Sequence, residues 1–144
     1  MHNYLPIKIL FVLLLLSVGF PDAAAEELLR TTRTWEGGEI KYPEGEAEVT
    51  SIRLKLNEGE TTPFHCHPVP TLGYILKGVV EVETKSGKKI MLNQGESAVE
   101  VFRALHRGKA INGPVEIIVF YVGATHIPNT VLPDKDPDSK YCME

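Results

Sequence analysis

The sequence predicts an all-β protein, a sandwich or barrel of many short strands. Three observations carry that prediction. Alternating or β-branched apolar runs recur along the chain, and turns bearing Gly, Asn or Pro separate them at short intervals. Beyond the N-terminal segment no window holds a long helical period, and no internal repeat stands out.

Residues 1–25 read as an export signal. Lys8 supplies a positive flank, Ile9 to Phe20 is a short apolar run, and Pro21 breaks it. Ala23-Ala24-Ala25 then offers small residues for cleavage after Ala25. The run falls short of the about 20 apolar residues that span a bilayer. A periplasmic or secreted mature protein without a stable membrane span is therefore expected, with an uncleaved anchor as the alternative. Residues 26–144 are expected to form one domain, with a barrel core at about 41–122 and a polar Pro- and Asp-rich tail at 123–144.

Within that domain, Glu26 to Trp35 has no clear pattern, and Trp35 reads as a packing anchor. Glu46 to Leu56 alternates, with Val49, Ile52, Leu54 and Leu56 as its apolar members. Leu72 to Leu76 and Val79 to Val82 read as two strands parted by Lys77-Gly78. Lys85-Ser86-Gly87-Lys88 is a hairpin turn leading to Ile90. Ala98 to Phe102 and Val115 to Val122 are further strands. Asn57-Glu58-Gly59, Asn93-Gln94-Gly95 and Asn112-Gly113-Pro114 mark the turns between them. After Tyr121, Pro128, Pro133 and Pro137 cannot continue a central strand. That tail is expected on the barrel surface or disordered, with Cys142 mobile in it.

Charge narrows the partners. Removing residues 1–25 takes Lys plus Arg from 15 to 14 and Asp plus Glu from 19 to 18, so the net charge stays at −4. No basic block remains, which argues against nucleic acid.

The chemistry concentrates in Pro63-Phe64-His65-Cys66-His67 and in His106. Pro63, Pro68 and Pro70 favour extended backbone around the first two histidines. Extended backbone points His65 and His67 to one side, roughly 6 to 7 Å apart. His106, brought alongside by an antiparallel neighbour, completes a set of three neutral imidazoles able to hold one divalent metal with positions left open. Histidines that face solvent or bond to the protein without a metal are the alternative. Cys66, lying between two of them, should point to the opposite face as a buried thiol. A Cys66–Cys142 bridge is possible in an oxidising compartment, but sequence cannot establish that the two meet.

Secondary candidates surround that set. Glu100, in an apolar stretch, either faces inward as a fourth ligand, an orienting partner or a general base, or faces solvent and pairs with Arg103 or Arg107. Tyr74 either projects its hydroxyl into the cavity as a catalytic group or packs as a buried aromatic. His126 reads as a surface-loop residue, and Arg103 and Arg107 as solvated charges or anion contacts.

These residues resemble the cupin superfamily. Gly59, His65, His67 and Gly78 stand at the spacings of its first motif, and Gly95 and His106 fit the second. The family's acidic ligand position falls on Thr71, the Pro and Gly of the second motif fall on Val101 and Arg103, and its closing Asn falls on Ala110. The resemblance spans about Lys41 to Tyr121. It implies a double-stranded β-helix, or jelly-roll, barrel and a three-His site for Fe, Mn, Zn, Ni or Cu. It also implies pairing of barrels, so a homodimer is expected. Oxygenase, isomerase or lyase chemistry on a small molecule is the leading expectation. A non-catalytic module binding a metal, carbohydrate or carboxylate is the alternative, and a structural or storage protein with a vestigial site is the third reading.

Overall fold

The structure, a computed structural model, describes residues 24–143; the apolar run of the expected export signal lies outside them. Five strands follow in order: β1 (Ala47–Leu56), β2 (Thr71–Thr84), β3 (Lys89–Asn93), β4 (Ser97–Val99) and β5 (His106–Ala124). Among the described residues one 3-10 turn follows, at Pro133–Lys135. Among the described residues no helix is long and apolar enough to cross a membrane.

The strands make one antiparallel sheet in the order β1-β5-β2-β3, with β4 added beside the start of β2. β2 and β5 are long because they run through what the sequence marks as breaks. Lys77-Gly78 does not end a strand but produces two register shifts within β2. Asn112-Gly113-Pro114 likewise lies inside β5, with Asn112 and Gly113 at positive φ. Such bulges bend a strand without ending it. The two bends are in contact. Gly78 sits at φ +82°, and a Cβ placed there would come within 2.4 Å of the Pro114 carbonyl oxygen. Only glycine fits.

Past the bends, the second half of β2 pairs with β3 and with the start of β5; before them, the first half pairs with β4 and the end of β5. Folding one half over the other wraps the sheet around one core. Leu56, Ile75, Val80, Val82, Leu92, Val115, Ile117 and Val119 are buried there, with Trp35 packed against them. Trp35 is thus the packing anchor the sequence predicts, and its backbone N–H donates to Val99 O at 2.9 Å. β1 is only half committed: Leu54 and Leu56 face the interior, while Val49 is 66% exposed.

Two predicted turns share one chemistry. Gly59 and Gly95 adopt positive φ. In each case the following acid turns back, Glu60 Oε2 accepting from the Asn57 N–H at 2.7 Å and Glu96 Oε2 from the Asn93 N–H at 2.6 Å. The Asn-x-Gly-Glu pattern is a small repeat that hydrophobic patterning does not reveal.

The tail corrects a sequence expectation. Cys142 is not mobile: it is buried and disulfide-bonded to Cys66, with Cα atoms 5.7 Å apart. Cys66 does point away from the histidines, but into a second small cluster with Leu105, Val131, Phe64 and Tyr141. Asp136 gathers this end of the chain by accepting backbone N–H bonds from Lys140, Tyr141 and Cys142. Those three bonds hold the Asp136 carboxyl below its ordinary range, the Cys142 amide first among them. The Arg103 guanidinium donates to the carbonyls of Tyr141 and Lys140, so this arginine ties down the tail rather than binding an anion.

Candidate metal centre

The backbone brings the histidines together before their side chains do. The stretch after β1 runs antiparallel to the start of β5, and His65 and His106 form a bridge with two backbone bonds of 3.0 and 2.9 Å. His67, two residues on, pairs with Phe102 and keeps its ring on the same side. The ring centroids lie 4.8, 4.6 and 5.0 Å from one another, and one nitrogen from each ring falls within 4.8 Å of the others.

Hydrogen bonding decides which nitrogen each ring offers. Nδ1 of His65 meets Pro63 O at 2.8 Å, Nδ1 of His67 meets Asn129 O at 2.8 Å, and Nδ1 of His106 meets Ala104 O at 2.9 Å. A carbonyl oxygen only accepts, so each Nδ1 carries the proton and donates it. Each Nε2 then keeps its lone pair. Burial lowers the pKa of all three rings, and the charge of neighbouring imidazoles depresses His65 and His67 further. Three neutral imidazoles with fixed tautomers and converging lone pairs are the donor set that suits a divalent transition metal. The residues fit such an ion, and nothing in the set selects among Fe, Mn, Zn, Ni and Cu.

Glu100 faces inward, resolving the alternatives left open by strand parity. β4 ends at Val99, and Glu100 follows it with its backbone N–H donating to Thr71 O at 2.8 Å. Its Oε2 lies 3.6 Å from Nε2 of His106 and is buried without a hydrogen-bond partner. The Trp35 indole N–H acts on the same carboxyl from a geometry too poor for a hydrogen bond, so its nitrogen is also unpartnered. Burial pushes the Glu100 carboxyl above its ordinary range, while His65 and Trp35 pull against that shift. Thr71, at the position where the resemblance places an acid, is buried and gives its hydroxyl to Val69 O. The carboxylate absent from Thr71 is therefore present one strand away, on its backbone partner.

Tyr74 does not reach this cavity. Thr71 and Gly73 line the interior, so alternation turns Tyr74 to the outer face of β2. There it lies with Leu28, Leu29, Ile118 and Phe120. His126 is exposed on the turn after β5, as the sequence suggests, and Arg107 pairs with Glu83 and covers the Phe64 ring.

The site opens into a cavity of about 240 Å³. The histidines and Glu100 line it, and Thr130 and Leu132 of the tail form part of the lining. Sequence reading missed this role of the tail. Val131 pairs with Cys66 through two backbone bonds, and Asn129 O holds the His67 ring. The disulfide thus fastens the segment that orients one of the three imidazoles.

An antiparallel sheet bent over one core, with three convergent imidazoles lining its cavity, is consistent with a cupin β-barrel. Residues 52–121, just under half of the chain, match the family described as the cupin domain. No curated protein matches the chain. Among solved structures it is similar to the DMSP lyase DddQ from Ruegeria pomeroyi DSS-3, with 20% identity and a TM-score of 0.53 over 61% of this chain and 44% of that one. It is also similar to the oxalate decarboxylase of Lactobacillus farciminis in complex with formate, with 16% identity and a TM-score of 0.50 over 58% of this chain and 26% of that one. The chain spans less than half the length of either protein. At such identities the likeness is one of fold.

Proposed function

We propose that this chain is a metal-dependent enzyme acting on a small molecule, with His65, His67 and His106 as the metal ligands. One observation carries the reading. Three Nε2 lone pairs and a buried, unpartnered carboxylate oxygen line one cavity, and among the described residues no donor satisfies them. A buried acceptor such as the Glu100 oxygen, left in that state, is costly unless a cation or substrate completes it. The bound ion would supply Lewis acidity and open coordination positions.

The chain's own residues supply the rest. The carbonyls of Pro63, Asn129 and Ala104 fix the rings, which keeps the donor atoms aimed without a folding rearrangement. Glu100, raised in pKa and facing the same space, is placed to take or return a proton from bound substrate. That assignment suits isomerase, lyase or oxygenase chemistry, each of which needs a base beside an activated oxygen. Solved structures similar in fold include a DMSP lyase and an oxalate decarboxylase.

Export is part of the proposal. The apolar run Ile9 to Phe20, the Ala23-Ala24-Ala25 stretch and a disulfide that persists in oxidising compartments all support a periplasmic or secreted protein. Homodimer formation through the outer sheet face is supported by exposed Leu72, Leu76 and Phe120. Metal-reconstituted protein screened against phenolic, diketone and uronic-acid substrates tests the enzyme reading. Turnover that Glu100→Gln abolishes while metal content stays stoichiometric is the expected result. Stoichiometric metal without turnover of any substrate would favour the binding module instead.

A further inference from the structure

We infer that the molecule taken up beside the histidines is an uncharged hydroxyl compound, a phenol or an enol, with a compact apolar body and no second charged group. The inference rests on the metal reading above and goes further, to the class of substrate.

The walls decide the body. Beyond the histidines and Glu100 the cavity lining is mostly aliphatic, with Leu54, Leu56, Val80, Val82, Ile117 and Val119; Thr62, Thr71, Thr130 and Tyr121 add hydroxyls, and among the described residues no Lys or Arg lines it. The arginines near in sequence are committed elsewhere, Arg107 to Glu83 and Arg103 to the tail carbonyls. A carboxylate carried at the far end of a ligand would meet a mostly aliphatic lining that offers it no cationic partner, which disfavours it. A sugar would fare little better, because its several hydroxyls would lose water and find few acceptors. Size points the same way. A dry cavity of about 150 Å³ accepts benzene, so about 240 Å³ holds one ring with a short substituent.

The head group follows from Glu100. Its Oε2 is an unpartnered acceptor 3.6 Å from the His106 Nε2. A hydroxyl placed beside the histidines can donate to that oxygen, whereas a carboxylate head has no proton to give it.

The test uses full-length protein loaded with Co(II), reading ligand binding from the cobalt d–d absorption and from the thermal midpoint. Phenol, 4-methylphenol and 4-ethylphenol should bind successively tighter, by about fourfold for each added carbon, the gain that burying one methylene brings. 4-Hydroxyphenylacetate keeps the same head and nearly the size of 4-ethylphenol but ends in a carboxylate; it should bind at least about tenfold more weakly. Galacturonate should leave both readouts unchanged. Flat affinities along the alkyl series, or 4-hydroxyphenylacetate or galacturonate binding more tightly than 4-ethylphenol, would overturn the inference while leaving the metal reading standing. Failure of Co(II) itself to bind would remove both.

Discussion

Replacing Cys66 and Cys142 together by alanine should cost stability and metal affinity by separable amounts. The bond joins residues 76 apart in sequence. Closing a loop of that length removes about 4.5 kcal/mol of chain entropy from the unfolded state in the polymer model, which sets the scale of the loss. With a urea slope of about 2 kcal/mol per molar, the unfolding midpoint should fall by about 2 M. The second effect is local. Val131 pairs with Cys66, and Asn129 two residues earlier holds Nδ1 of His67. Loosening this segment withdraws an orienting partner from one ligand, a change that typically weakens metal binding by about 10- to 100-fold. Urea melts followed by circular dichroism measure the first quantity, and competition with a chromophoric chelator measures the second. Wild-type protein under reducing conditions should behave like the variant. An unchanged midpoint together with unchanged metal affinity would refute both the bond and the coupling derived from it.

Other outcomes follow from the same geometry. His67→Ala should abolish stoichiometric metal and leave the far-ultraviolet circular dichroism of the barrel intact, because the core is apolar; His126→Ala should change neither. Gly78→Ala should destabilise by more than about 3 kcal/mol, combining left-handed backbone with a clash against the Pro114 carbonyl. Gly59→Ala, with positive φ but open space around it, should cost only about 1 kcal/mol, and equal costs in urea melts would contradict this account of the bend. The Asp136 carboxyl is held below its ordinary value of 3.8, so the stability it contributes is fully present above that pH and is lost as pH falls through the lower folded value. Protection factors for amide exchange at Lys140, Tyr141 and Cys142 should therefore fall in acid, and Asp136→Asn should remove that pH dependence of protection.

The all-β class was legible because each strand carries its own apolar signal, and the three histidines were legible because local spacing and one antiparallel pairing suffice to unite them. What stayed hidden depends on long-range contacts. Lys77-Gly78 and Asn112-Gly113-Pro114 look like strand ends when read locally; they are bends because each meets the other across the sheet. Glu100 could not be oriented from parity, since β4 stops at Val99 and the chain turns before β5. The local sequence leaves Tyr74 open between cavity and packing, although its spacing from Thr71 puts it on the opposite face. The tail was read as loose because its composition is polar; Cys66–Cys142, Asp136 and Arg103 fasten it through partners that lie distant along the chain.

Metal content is the most direct test of the central claim. Protein purified without an affinity tag, reconstituted with a divalent transition metal and passed through a desalting column, should retain about one equivalent by elemental analysis, and His65→Ala, His67→Ala and His106→Ala should each lose it. Retention below about a tenth of an equivalent in the unaltered protein, or full retention in all three variants, would contradict the assignment.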